Sequence, residues 1–350
     1  MRISDVPELK EISNKLASLG YDGPRGLTKL IGAARVAAKP MADYLGMSEQ
    51  ALADLINANI QYAGLASDAE AQRLDNLTCR LGAAVERAPL LTRTGDVVKS
   101  VVVATPVASI AVAANLPAAI DHVAQMPPVR DQGDRGTCVA HACVAAYEHR
   151  LGLASSPPAD LSEQFLYWRC KETDGARDEE GTWIAVGMPL IERDGVCDET
   201  GWPYNPRVAV PPNEGQGPAP TAATDAARAR RTRTRNIAKN GVAEYKEALV
   251  QDHCVAFSIP VFDSWYKSQE VRRTGELTLP LPAEISVGGH AMCIVGYADD
   301  ASPQYPGGGY FILRNSWSTQ WATASSSGAG YGRIPYAYVA RFGMEAWVVD

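Results

Sequence analysis

The sequence predicts an α+β protein, and three observations carry that reading. Residues 1–88 show helical stripes of leucine and isoleucine, residues 116–236 are again helix-rich, and from Cys254 onward short apolar runs bounded by glycine take over. Runs of helices followed by runs of strands point to segregated layers rather than alternating βαβ units.

Residues 1–88 read as a small all-α domain. Leu9, Ile12, Leu16 and Leu19 fall on one helical face that stops at Gly20, and Leu52, Leu55, Ile56 and Ile60 form another after Ser48. Between them Leu27, Leu30, Ile31 and Ala34 predict a further helix, and Pro40 suits the start of a short one. The turn Leu19-Gly20-Tyr21-Asp22-Gly23 leading into a helix resembles a helix-hairpin-helix, which can hold DNA backbone or protein. Across residues 1–60, however, seven bases are balanced by seven acids, so phosphate binding gains no net electrostatic help. Docking of a protein partner, or packing on the following domain, is the expected role, and no nucleic acid is expected.

The helix-rich middle opens with the stretch of greatest chemical content, residues 128–138, PVRDQGDRGTC. Val139, Ala142, Cys143, Ala146 and Tyr147 share one helical stripe, with Thr137 as the expected N-cap and Gly152 as the stop, which puts Cys138 in the first turn. Unpaired amides and the positive end of the helix dipole there favour a thiolate over a thiol. Taken alone, a cysteine is more often a buried packing residue than a nucleophile. Further helices are expected over residues 162–170 and 183–193, then a Pro/Gly-rich linker or crossing loop at 211–220 and a helix near 242–249.

Five histidines could serve such a thiol as base, namely His122, His141, His149, His253 and His290, and His290 is the best placed. It follows Gly288 and Gly289 and opens the apolar run 291–297, which is too short for a helix and reads as a buried strand. A second apolar run, 310–313, ends at Arg314-Asn315-Ser316-Trp317. If the two pair as antiparallel neighbours, the start of one lies beside the end of the other and His290 meets Asn315. The Asn315 side-chain carbonyl can then accept the ring N–H and turn the other nitrogen toward the sulfur, with Trp317 covering that bond from water. Gln132 supplies an amide that can donate to a developing oxyanion beside the Cys138 N–H. His141, one turn from Cys138, reads as a residue packed or hydrogen-bonded below the cleft. With Cys143 it lacks the second ligand pair of a zinc site, so no metal and no other cofactor is expected.

These residues resemble the papain-like cysteine peptidases. Gln132-Gly133 before Gly136-Thr137-Cys138, then Leu161-Ser162-Glu163-Gln164, Gly289-His290-Ala291 and Asn315-Ser316-Trp317 recur in that family's order. Gly181-Thr182-Trp183, Gly195-Val196-Cys197-Asp198-Glu199, Trp202-Pro203-Tyr204 and Gly332-Arg333-Ile334-Pro335-Tyr336 look like a bacterial branch of it. The resemblance runs from residue 116 to the C-terminus. It implies a helical lobe at 116–236 carrying the nucleophile and an antiparallel, barrel-like β lobe at 237–350 carrying His290 and Asn315, with a cleft between. It implies a thiol protease whose catalytic residues are Cys138, His290, Asn315 and Gln132, with Trp317, Gly289 and Gly136 supporting the site or the substrate. The implied reaction is hydrolysis of a peptide or protein, of the endopeptidase kind, through a Cys138–His290 ion pair and a thioester acyl-enzyme. A transpeptidase or ligase would share that intermediate, and an inactive peptide-binding module would keep only the cleft.

Several positions depart from the family pattern. Val139 stands where an aromatic is common, Arg135 where a cysteine is expected, and Ser318 and Ala322 where glycines are usual, while the Ala/Ser/Gly-rich insertion 323–329 lengthens the lip of the cleft beyond Trp317. Residues 89–115 are an extended linker or a pro-segment. Their Val/Ala/Thr-rich run 97–113 would be a strand of the lobe in the first case and would lie near the cleft in the second, since relatives are usually held inactive by an N-terminal region. A zymogen is thus one expected arrangement.

A hydrophobic share of 46% with 21% charged residues is that of a folded globular protein. The net charge of −7 offers no attraction to nucleic acid or to an anionic membrane, and the run Arg228, Arg230, Arg231, Arg233 and Arg235 reads as a solvated face in preference to a binding patch. Seven cysteines without disulfide spacing are expected as mostly buried thiols. The run 97–113, broken by Lys99 and Pro106, is too short and β-branched for a membrane helix. The first residues lack the apolar stretch of a secretory signal, which points to the cytoplasm or to leaderless export.

Overall fold

The computed structural model describes residues 1–84, 116–153, 159–208 and 213–350. Its N-terminal helices are α1 (Lys10–Ala17), α2 (Gly26–Val36), α3 (Ala38–Leu45), α4 (Glu49–Asn59) and α5 (Asp68–Asp75). Ser48 and Ser67 cap α4 and α5 by accepting from the amides of Ala51 and Glu70, and Gly46 closes α3 at φ +78°. These helices share one core with the rest of the chain: Leu16, Leu27, Leu30, Ile31 and Met41 are continuous with Phe257, Ile259 and Leu313. The Leu19–Gly23 turn is equally internal. Leu19 O accepts from Leu279 N at 3.0 Å, and a Cβ on Gly23 would lie 2.4 Å from the Gln304 side chain. The helix-hairpin-helix reading is corrected to that extent, because the face that would meet phosphates is spent on packing.

Next in the chain come β1 (Ala119–Asp121), α6 (Cys138–Gly152), α7 (Glu163–Lys171), α8 (Ile184–Asp194), α9 (Thr221–Ala227), β2 (Thr234–Asn236) and α10 (Val242–Val250). After them follow β3 (Val255–Phe262), α11 (Asp263–Tyr266), α12 (Gln269–Thr274), β4 (Ser286–Asp299), β5 (Gly309–Arg314), β6 (Tyr331–Pro335), α13 (Tyr336–Phe342) and β7 (Glu345–Val349). The strands form one sheet in the order β2-β7-β3-β4-β5-β6, with β1 paired to the far end of β4.

Alternation along the strands divides their side chains between two cores. Val255, Phe257, Ile259, Met292, Ile294, Phe311 and Leu313 face the core made with the N-terminal helices, α10 and α13. Ala256, Ala291, Cys293, Val295 and Ile312 face α6, α7 and α8. With both faces covered, β3 is buried throughout, which is why it reads as a continuous apolar run.

Two expectations change here. Helix α6 is buried on every side from Cys138 to His149, because α7 and α8 cover one flank and β3 and β4 the other, so it has no single apolar stripe. The boundary at 236/237 is interleaved, since β1 and β2 pair into the sheet with β4 and β7 although they precede it in sequence. The run 97–113 lies outside the described residues. Among the described residues no helix is long and apolar enough to cross a membrane.

Candidate active site

Helix α6 starts at Cys138, whose thiol is fully buried. The Ala291 amide donates to Cys138 Sγ at 3.4 Å, and the amides of Val139, Gly82 and Cys138 itself also face the sulfur. Strand β4 therefore carries the neighbour of His290 directly onto the thiol. The antiparallel pairing of β4 with β5, Cys293 opposite Arg314, brings His290 Nε2 to 2.8 Å from Asn315 Oδ1. The Ser316 amide donates to the same oxygen at 2.8 Å, which fixes the Asn315 carbonyl as acceptor. His290 Nδ1 has no hydrogen-bond partner. Trp317 stacks on the imidazole with ring centroids 4.4 Å apart.

Gln132 closes the other side. Its Oε1 accepts from Ser316 Oγ at 2.6 Å and its Nε2 donates to Arg135 O at 2.7 Å, leaving one N–H uncommitted. Gly136 follows in the same loop and donates to Glu180 Oε1 at 3.0 Å. Thr137 takes the N-cap position of α6 as expected, but its side chain makes no capping hydrogen bond. Its hydroxyl is held by Tyr204 OH at 2.6 Å and lies 3.4 Å from His141 Nδ1. His141 sits below the cleft with Nδ1 3.0 Å from Thr137 O, and burial pushes its pKa down to about 3, so it stays neutral. Among the described residues no cluster of three or more His, Cys, Asp or Glu could hold a metal, and all seven cysteines are unpaired and buried.

Residues 79–84 run through the groove over the thiol, which sequence reasoning missed by assigning them to the helical domain. Tyr266 OH donates to Cys79 O at 2.5 Å and Trp317 Nε1 to Arg80 O at 3.0 Å, while the Arg80 guanidinium pairs with Glu180. Gly82 N and Ala83 N both reach Gly289 O, at 3.2 and 3.1 Å. Thr182 N donates to Gly82 O and Thr182 O accepts from Ala84 N, both at 3.0 Å. Gly82 is the position of closest approach, since a Cβ there would lie 2.0 Å from Gly136 O. Only the lack of a side chain at that position could have hinted at it.

Burial sets the electrostatics of the site. Burial pushes the Cys138 thiol up to about 12 against the pull of the amides that face it, and pushes His290 down to about 4 against the Asn315 hydrogen bond. Buried in this way, the expected thiolate is at neutral pH a neutral thiol, and His290 a neutral imidazole. Beyond Trp317 the backbone keeps the left-handed turns of a glycine pattern without the glycines, with φ +57° at Ser318 and +56° at Ala322.

The family model for papain family cysteine proteases matches residues 116–346. An uncharacterized peptidase C1-like protein of Acanthamoeba polyphaga mimivirus is 32% identical over 228 residues, 63% of this chain and 68% of that protein. Peptidase 1 of Dermatophagoides farinae is 28% identical over 235 residues, 62% of this chain and 61% of its own length, so the chain spans roughly three-fifths to two-thirds of these relatives. In structure the chain is similar to xylellain, a cysteine protease from Xylella fastidiosa, at a TM-score of 0.57 and 25% identity over 68% of this chain and 87% of that one. It shares the fold of procathepsin L 3 of Tenebrio molitor at a TM-score of 0.52 and 17% identity, over 93% of this chain and 91% of that one. Since the family match takes in well over half of the sequence and includes both walls of the groove, the chain belongs to the papain family of cysteine proteases.

Proposed function

We propose that this protein is a cysteine endopeptidase acting through Cys138, His290 and Asn315, and that residues 79–84 hold it latent. One observation carries the chemistry: the Cys138 sulfur contacts the residue next to an imidazole that is oriented by Asn315 and has its other nitrogen free. His290 Nδ1 takes the thiol proton, and the thiolate attacks a peptide carbonyl carbon. The oxyanion is met by the free Gln132 N–H and the Cys138 amide. His290 returns its proton to the leaving amine as the C–N bond breaks, and a water deprotonated by His290 then hydrolyses the thioester.

The path of residues 79–84 supports an endopeptidase, because a chain already extends past the thiol in both directions, toward Tyr266 and Trp317 on one side and Thr182 on the other. The same path supports latency. Gly82 has its carbonyl engaged by the Thr182 amide instead of the oxyanion donors, so its peptide bond is not set for attack.

The deciding experiment labels the full-length chain carrying Arg80→Ala, which removes the Glu180 anchor of residues 79–84, with a thiol-directed epoxide and maps the adduct, alongside turnover of a long peptide read by mass spectrometry. We expect the adduct on Cys138, cleavage at internal bonds, and loss of both in Cys138→Ala. Undiminished turnover by that variant would remove the assignment.

A further inference from the structure

We infer that Arg135 is a positioning residue for the oxyanion side of the groove: its buried guanidinium sets the carbonyl that decides which end of the Gln132 amide faces the substrate. The inference rests on the reading of Gln132 as an oxyanion donor.

A glutamine amide can present either its oxygen or its NH₂ to a given point, and only its neighbours decide between them. Ser316 Oγ, which touches one end of the Gln132 amide, cannot decide, because a hydroxyl both donates and accepts. Arg135 O can. A backbone carbonyl only accepts, so its 2.7 Å contact assigns that end as Nε2 and leaves the second N–H of the same nitrogen pointing elsewhere. Were this carbonyl to move away, the amide could turn over and aim an oxygen at a developing negative charge.

Arg135 is fully buried, and its side chain holds the carbonyl in place. Nη1 donates to Gln164 Oε1 at 2.7 Å and to Asn205 O at 2.8 Å, and Nη2 donates to Glu214 O at 3.0 Å. The guanidinium also lies 5.2 Å from the centre of the Tyr167 ring and 5.4 Å from that of Tyr204. It is therefore tied to α7, to Asn205 and to Glu214 at once. Tyr204 extends the same brace, since its hydroxyl donates to Gln132 O at 2.8 Å. Lysine cannot reproduce this, because an ammonium is a point charge without the planar fork that reaches three acceptors between two rings. Where the family pattern leads one to expect a cysteine, this chain carries a crosslink made of hydrogen bonds.

The test uses the full-length chain, with Arg80→Ala in every variant to loosen residues 79–84. Two rates are compared: kcat for peptide hydrolysis, which needs the oxyanion donor, and the rate of Cys138 alkylation by an epoxide, which opens by thiolate attack without forming an oxyanion at a carbonyl. Arg135→Lys is expected to lower kcat at least ten-fold while alkylation stays within two-fold, and to add nothing to the kcat loss of Gln132→Ala when the two are combined. Should Arg135→Lys fail to fold, Tyr204→Phe tests the same brace: it keeps the ring over the guanidinium and removes the hydroxyl that holds Gln132 O. A kcat within two-fold of the parent, a parallel fall in alkylation, or multiplying losses in the double variant would overturn the inference. A parent chain that neither cleaves peptides nor alkylates at Cys138 would instead remove the catalytic reading beneath it.

Discussion

The indole of Trp317 lies 23° from parallel with the imidazole of His290, and its Nε1 donates to the carbonyl of Arg80. One side chain thus roofs the candidate base and anchors the segment that fills the groove. Trp317→Phe keeps an aromatic roof and removes the donor. Turnover of the full-length chain is expected to rise, whereas Trp317→Ala should also let the His290 pKa climb from about 4 toward its ordinary value as water returns, which an NMR titration of the ring would follow.

Gly82→Ala should expel residues 79–84, because the obstacle 2.0 Å from the new Cβ is the backbone oxygen of Gly136 and cannot swing aside. Alkylation needs the thiolate. In the parent chain, with the thiol pushed up to about 12, the rate should climb steeply only above neutrality. In Gly82→Ala the sulfur and imidazole regain water and the ion pair can form, so at pH 7 alkylation is expected to be at least ten-fold faster than in the parent. Equal rates across pH 6–9 would refute a latent groove.

Below the site, Glu148 and Glu163 are buried together near Arg130 and Arg314, and burial raises both carboxyls, to about 8 and about 7. A carboxyl whose pKa is raised on folding gives stability that is complete below the unfolded value near 4.5 and lost as pH rises through the folded one. Thermal unfolding followed from pH 5 to pH 8 should show that loss. Glu148→Gln, which keeps an acceptor for the Leu161 amide, should reduce it by roughly 1 kcal/mol or more.

Relief of a left-handed backbone is worth about 1 kcal/mol per residue. At Ser318 it is opposed only by loss of a hydroxyl that accepts from Gln320 N at the surface, so Ser318→Gly should stabilise by roughly 0.5 kcal/mol. Ala322 is fully buried, and its methyl is worth about 0.8 kcal/mol, so Ala322→Gly should be close to neutral. Denaturant titration of the two variants would read the difference. A valine at either position should destabilise both folding and the lip of the groove.

Much of the site was legible in the sequence because it depends on local rules. A cysteine opening an apolar helix marks an element end, and His290, although β4 begins earlier at Ser286, lies near where that strand becomes buried; antiparallel pairing of two short runs is then enough to bring it to Asn315. The placement of Trp317 over the imidazole was readable from its spacing after Asn315. The interleaved strands β1 and β2 were not legible, since a three-residue segment has no periodicity to read and is defined only by the edge it joins.

By itself the sequence determined most of the order of helices and strands and the meeting of His290 with Asn315, which follow from spacing along the chain, and its motifs carried the resemblance to the family. Only the tertiary structure decided what covers the thiol, which charge state it rests in, and what braces Gln132. Those depend on residues 79–84, Thr182, Glu180 and Arg135 converging from distant positions, and desolvation and hydrogen-bond direction are properties of that convergence alone.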